Sequence, residues 1–306
     1  MSIRCRRGGP SPTTSSVAQI SDIRVVYARC GWYDACFTSA VEPFFVHLAT
    51  ASHEEAMAAT IAAQTQEAQE QLSRYRDLLI RWNQRFNLTA VTDPAEIDQR
   101  LIGDTLRLLP ALDDALAAWQ AGRRRNGDSR ETSPPRLIDV GSGAGLPGLV
   151  LKIARPELNM LLLEATGKKV GFLEHAILEL GLTGITANHG RAEELAHQPH
   201  HRGQYDVVTA RAVAALPVLM EICVPFLAVG GHTLFPKGAE IEQELAEGHR
   251  AAPLVGARIV GDGPLPTGGG ESVTRLVIAV KIAATPDRYP RRSGIPAKAP
   301  LGRAGR

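Results

Sequence analysis

Leu137-Ile138-Asp139-Val140-Gly141-Ser142-Gly143-Ala144-Gly145-Leu146-Pro147-Gly148 runs from an apolar strand pattern, through a glycine-rich turn, into a helical pattern. Glycines permit a tight turn and let a backbone approach a ligand closely, so this junction has the form of a nucleotide-type cofactor site. The glycine spacing narrows the choice of cofactor. A dinucleotide fingerprint needs Gly-x-Gly-x-x-Gly directly after the strand, but counted from Gly141 its sixth position is Leu146. A match from Gly143 to Gly148 starts two residues late and leaves Asp139-Val140-Gly141 unexplained.

An acidic residue at a strand end followed by Gly-x-Gly-x-Gly is the pattern of S-adenosylmethionine enzymes, in which no pyrophosphate has to sit on the helix N-terminus. Glu164 closes the next apolar run, Met160-Leu161-Leu162-Leu163, at the place where a ribose-binding carboxylate belongs in a doubly wound sheet. The bland reading of the glycines, a tight connection from strand to helix, does not account for Glu164.

The chain has 306 residues, 44% of them apolar and 22% charged, ordinary for a globular protein with one large or two modest domains. Its net charge of +2 excludes a general polyanion binder, although the end of the chain from Lys281 is basic. Cys5, Cys30, Cys36 and Cys223 form no Cys-x-x-Cys pair, which favours reduced thiols in the cytoplasm and no structural metal. His197, His200 and His201 sit in polar, proline-interrupted sequence and read as a solvated turn. The apolar stretch 212–229 contains Pro217, Glu221 and Pro225, so it is expected to be a buried helix and not a membrane span. No signal-peptide order opens the chain.

Residues 1–56 lack periodicity and read as an extension, with Met57 as an alternative start. Residues 57–119 form a helical N-terminal region. One helix is expected over 58–86, with Leu72, Tyr75, Leu79, Trp82 and Phe86 on its apolar face and Asn83 and Asn87 at its end. A second is expected over 94–119, with Leu101, Thr105, Leu108, Leu109 and Leu112 inward. Residues 120–135, with Arg123 to Arg125 and a Pro-Pro pair, read as a linker. The segment 136–283 alternates strands near 136–141, 159–164, 184–189, 205–210, 231–235 and 274–282 with helices near 147–155, 168–181, 193–197, 214–228 and 239–248. This is an α/β, Rossmann-like, mainly parallel sheet whose last strand, entering after Gly268-Gly269-Gly270, runs antiparallel. Residues 284–306 form a basic tail.

In such a sheet, ligands collect at the carboxyl ends of the strands. Asp139, Gly141, Glu164, Ala192, Glu193, Arg211 and Lys237 all fall there. Ala192 offers a backbone N–H suited to an adenine edge. Glu193 reads equally as a ligand residue or as a helix-start carboxylate. Arg211, between two apolar runs, needs either a functional partner or an ion pair. Lys237, judged alone, reads as surface.

Arg81-Trp82-Asn83, Asn87-Leu88-Thr89-Ala90-Val91, Asp104-Thr105-Leu106, the glycine turn, Gly167-Lys168-Lys169, Gly190-Arg191-Ala192-Glu193-Glu194, Arg211-Ala212-Val213-Ala214 and Lys237-Gly238 occur in this order. Together with Tyr289-Pro290-Arg291-Arg292-Ser293-Gly294-Ile295-Pro296 they resemble the RsmG (GidB) family, bacterial (guanine-N7)-methyltransferases of small-subunit ribosomal RNA. The resemblance spans about 72–301 and implies a class I S-adenosylmethionine-dependent methyltransferase fold with an N-terminal helical cap. It departs at Leu101, where the family usually has a histidine, and over 1–56, which have no counterpart in the family.

The resemblance implies that Gly141 and Leu146 line the methionine side of the cofactor, Glu164, Ala165 and Thr166 the ribose, and Ala192 and Glu193 the adenine. Asp139 and Gly143 belong to the same cofactor set. Arg211 serves cofactor or substrate, and Arg211 with Lys237 holds the guanine O6 or nearby phosphates. Guanine N7 already presents an in-plane lone pair, so no catalytic His or Cys is needed, and positioning carries the reaction. The implied partner is 16S ribosomal RNA or the small ribosomal subunit, its guanine single-stranded or swung out, and it meets a monomeric enzyme without metal. Two other readings share the sheet: an NAD-dependent oxidoreductase and a small-molecule methyltransferase. A noncatalytic RNA-binding protein is a third.

Overall fold

The structure, a computed structural model, describes residues 65–126, 133–265 and 274–303. The readings of 1–56, of a start at Met57 and of Gly268-Gly269-Gly270 lie outside the described residues. Helix α1 (Gln66–Phe86) begins at Thr65, whose hydroxyl accepts from the Ala68 N–H at 3.2 Å. A cap of this kind is worth about 1 kcal/mol. The helix ends at Asn87, which takes the left-handed conformation (φ 47°) that asparagine tolerates. Leu72, Tyr75 and Leu79 are buried along one stripe, while Phe86 at its end is 36% exposed.

The helix expected over 94–119 is broken. Asp93 caps α2 (Pro94–Glu96), a wider π-helical stretch covers Ile97–Gly103, α3 spans Asp104–Leu106, and α4 runs Leu109–Asn126. Pro110 explains the break after α3: a continuous helix would need its missing N–H to donate to the Leu106 carbonyl. α4 runs past Trp119 into the expected linker, with the buried Arg123 guanidinium 4.1 Å from the Trp119 ring centroid.

Among the described residues, seven strands form one sheet in the order β3-β2-β1-β4-β5-β7-β6. They are β1 (Arg136–Val140), β2 (Asn159–Glu164), β3 (Ile185–His189), β4 (Tyr205–Thr209), β5 (Leu227–Lys237), β6 (Ala257–Leu265) and β7 (Thr274–Lys281). The first five pair in parallel, and β7 runs antiparallel to both β5 and β6. β6 is absent from the sequence expectation because Gly261, Gly263 and Pro264 hide its alternation, and a bulge follows Ile259. The other helices are α5 (Gly148–Ala154), α6 (Gly167–Glu179), α7 (Ala192–Leu195), α8 (Leu216–Cys223), α9 (Glu242–Ala251) and α10 (Ile295–Lys298).

Strand alternation divides the core between the two faces. Leu137, Leu162 and Val207 pack with α1, α4, α5 and α6, so the helical cap and the sheet share one core. Ile138, Leu163 and Val208 pack with α8 and α9 on the other face. The apolar stretch expected as one helix over 214–228 is α8, then a 3-10 turn at Val224–Phe226, then the start of β5. Pro225 has no N–H to continue the helix, and Leu227 already pairs with Tyr205 of β4. Chain order reverses between β1 and β4, and the crevice at their carboxyl ends is where such sheets bind ligands. Among the described residues, no helix is long and apolar enough to cross a membrane.

Candidate functional site

The glycine turn leaves β1 at that crevice and is held by two carboxylates. Asp139, fully buried, accepts from the Gly148 N–H at 3.1 Å through one oxygen and from the Thr209 hydroxyl at 2.9 Å through the other. Glu164, at the end of β2, accepts from the Gly143 N–H at 2.9 Å and from the Thr166 N–H at 2.8 Å. The turn also donates from Gly141 and Ser142 to the Leu163 carbonyl at 2.8 and 3.1 Å. From the helical cap, the buried Tyr75 hydroxyl donates to the Ala144 carbonyl at 2.7 Å. Desolvation holds that phenol far above its ordinary range.

Backbone geometry explains the glycines. Gly141, Gly143 and Gly145 have φ of 72°, 57° and 88°, a region that side chains rarely adopt. A Cβ on Gly141 would lie 2.6 Å from a Val213 methyl, and one on Gly148 would lie 2.3 Å from a Leu162 methyl and 2.8 Å from Asp139 Oδ2. Over Gly143 the space is open, with nothing nearer than 3.8 Å. The Leu146 side chain is buried in the core, so only its backbone faces the turn.

Burial pushes the Asp139 carboxyl up to about 6, against the bonds from Thr209 and Gly148 that favour its charged form. The folded state therefore takes up a proton that the unfolded chain takes up only near 3.8. Asp139's contribution to stability is full below that lower value and is lost as pH rises through about 6. Asp139→Asn keeps an acceptor for Gly148 and an amide to donate to the Thr209 oxygen. Chemical denaturation of the two proteins between pH 4 and 7 is expected to show the variant gaining on the parent as pH rises, by up to roughly 3 kcal/mol. Parallel stability curves would contradict this.

Arg211 follows β4 in a turn beside the glycines. Burial lowers its pKa, and Tyr75, Asp139 and Asp104 lie near enough to offset part of that cost. Its guanidinium reaches the Thr105 hydroxyl at 3.4 Å, a long contact that leaves most of its donors uncommitted by direct bonds. Ala212 behind it has φ 56°, a strained conformation for a residue with a side chain.

Lys237 is not the surface residue that its turn suggested. Its ammonium pairs with Glu244 at 2.7 Å and donates to the Ala214 carbonyl at 3.0 Å, while Glu244 also accepts from the Leu216 N–H at 2.9 Å. This bracket fixes the turn that carries Arg211. Ala165 and Thr166 are exposed beside Glu164, and Ala192 is buried at the start of α7.

Glu193 is engaged by the C-terminal segment. Its carboxylate accepts from the Gly294 N–H at 3.1 Å, and Glu194 accepts from the Ser293 hydroxyl at 3.0 Å. The described part of the C-terminal segment is thus docked over α7 and α8. Arg291 pairs with the fully buried Glu221 at 2.6 Å, and the His197 ring bonds the Pro290 carbonyl at 2.8 Å. His201, also expected in a solvated turn, bonds the Tyr205 hydroxyl at 2.7 Å. The Glu221–Arg291 pair joins residues seventy positions apart, a link that no local pattern announces. Among the described residues, no group of three or more His, Cys, Asp or Glu could hold a metal ion.

The GidB family profile, described as rRNA small subunit methyltransferase G, matches residues 68–259. The chain belongs to this family. It is 45% identical over 232 residues to the ribosomal RNA small subunit methyltransferase G of Roseiflexus castenholzii, covering 76% of this chain and 91% of that protein. The protein of the same name from Chloroflexus aggregans is 46% identical over 231 residues, covering 76% and 89%. That from Streptococcus thermophilus is 38% identical over 239 residues, covering 78% and 93%. Family membership agrees with the motif resemblance and with the methyltransferase form of the sheet, and it displaces the oxidoreductase reading.

Proposed function

We propose that the chain transfers a methyl group from S-adenosylmethionine to N7 of a guanine in 16S ribosomal RNA. The observation that carries this reading is the glycine turn, clamped by Asp139 and Glu164 beside Arg211, within the stretch shared with the rRNA small subunit methyltransferase G family. The crevice fits the cofactor. Each Glu164 oxygen has one N–H partner and so keeps acceptor capacity for a ribose hydroxyl, and the space over Gly143 is open.

In this reading Gly141, Gly143 and the Leu146 backbone face the methionine end, and Glu164, Ala165 and Thr166 hold the ribose. Ala192 offers its N–H to the adenine; Glu193, turned to Gly294, would serve that edge by fixing the start of α7. Asp139 acts through the turn that it anchors.

When bound, S-adenosylmethionine supplies an electrophilic methyl group on a cationic sulfonium. N7 has its lone pair without losing a proton, so this chain's residues are required to position and to exclude water, not to act as bases. Arg211 holds the guanine O6 or an adjoining phosphate, and Lys237 keeps the Arg211 turn in place through Ala214 and Glu244. The enzyme works as a monomer in the cytoplasm, without metal, on ribosomal RNA free or in the assembling subunit.

Arg211→Ala is expected to lower kcat/KM for RNA about 100-fold, a loss of roughly 2.7 kcal/mol of transition-state stabilisation, with a much smaller loss in S-adenosylmethionine affinity. Steady-state transfer of a labelled methyl group, alongside calorimetric cofactor titration, measures both. Equal turnover by parent and variant would remove Arg211 from the site.

A further inference from the structure

We infer that the C-terminal end of α1 and the start of α6 form the track for the single-stranded RNA flanking the target guanine, with one base stacked on Phe86; this rests on the function proposed above. The two stretches meet through Trp82, whose ring lies 5.6 Å from Phe172 and 5.2 Å from His175 of α6, centroid to centroid. Phe86 closes this aromatic row at 5.3 Å from Trp82 and keeps 36% of its surface in solvent. An apolar ring left open at a helix end offers a base a face on which to stack.

The charges around the ring suit a phosphate backbone. Arg81, Arg85, Lys168 and Lys169 lie on these stretches, against one carboxylate, Glu174. Among the described residues, none of the four cations is paired with a carboxylate. The Lys168 ammonium sits 6.0 Å from the Phe86 ring centroid, so cation and ring present one combined surface. Lys168 is also two residues beyond Thr166, whose N–H is held by Glu164. The track therefore starts at the proposed ribose rim and leads away along α1, next to where the substrate base must enter. Exposed aromatic faces interleaved with cations are the means by which proteins hold single strands without reading their sequence.

The test is steady-state methylation of small-subunit RNA by the full chain and by Phe86→Leu, Phe86→Ala and Lys168→Gln, together with calorimetric binding of S-adenosylmethionine. Phe86→Leu keeps an apolar contact with Trp82 but removes the stacking face, so a folding defect specific to Phe86→Ala does not decide the outcome. Both Phe86 variants are expected to raise the RNA KM about fivefold or more, as loss of one base–aromatic stack would. Lys168→Gln is expected to lower the slope of log affinity for RNA against log salt by about one. Cofactor affinity stays unchanged in all three. If the parent methylates RNA while Phe86→Leu and Lys168→Gln match it in RNA KM and salt slope, the track is wrong and the function stands. If the parent transfers no methyl group to RNA, the function fails and the track fails with it.

Discussion

Gly141→Val is expected to abolish S-adenosylmethionine binding at concentrations that saturate the parent. Position 141 has φ 72°, and its Cβ would lie 2.6 Å from a Val213 methyl in the turn that carries Arg211. A branched side chain there either forces Gly141 out of the left-handed region or displaces Val213. The first option re-aims the Gly143 N–H that Glu164 holds, and the second moves Arg211. Backbone strain of this kind costs on the order of 1–3 kcal/mol. With the displaced turn added, the dissociation constant is expected to rise by about 100-fold or more, since each 1.4 kcal/mol is a factor of ten. Calorimetric titration measures it, and circular dichroism should show the sheet retained, because the turn lies at its rim. Parent-like affinity in a folded variant would mean that Gly141 does not face the cofactor.

Glu164→Gln, nearly identical in shape, is expected to be almost as damaging. Both carboxylate oxygens accept backbone N–H groups, from Gly143 and Thr166. An amide can accept only through its oxygen, so its NH2 group is left facing one of the two N–H donors. Hydrogen bonds to charged groups are worth about 1.5–3 kcal/mol each, so losing one and adding a donor–donor conflict is expected to destabilise the turn by about 2 kcal/mol or more. The cofactor dissociation constant is then expected to rise about 30-fold or more, because the turn must be restored before binding. Thermal denaturation and calorimetric titration of the same preparation test both effects. A variant with parent-like stability and affinity would show that Glu164 holds neither the turn nor the ribose.

The glycine turn, the run of five parallel strands and the placement of Asp139, Glu164 and Arg211 at strand ends were legible in the sequence because local chemistry dictates them, whereas the order of the strands across the sheet was not. A strand ends, positive φ is required, and polar residues in an apolar run need a shared rim. Long-range partners were not legible. Lys237 looked like surface until Glu244, on α9, took its charge. The segment after Lys281 read only as a basic tail, and nothing local announced that Glu221, an acid inside an apolar helix, is the partner of Arg291. Glu221 was itself the available signal: a carboxylate buried in such a helix demands a cation from elsewhere. The break at Pro110 was readable in principle and was masked by the leucines on either side. The edge strand β6 was hidden by its own glycines.

The central claim is the transfer of a methyl group to guanine N7, and the identity of the labelled nucleoside tests it most directly. Methyl-labelled S-adenosylmethionine is incubated with the full chain and with small-subunit RNA or subunits lacking the modification, and the RNA is digested to nucleosides. Label is expected in 7-methylguanosine and absent when Gly141→Val replaces the parent. Label in any other nucleoside, or no label in RNA from a preparation that binds the cofactor, would contradict the assignment.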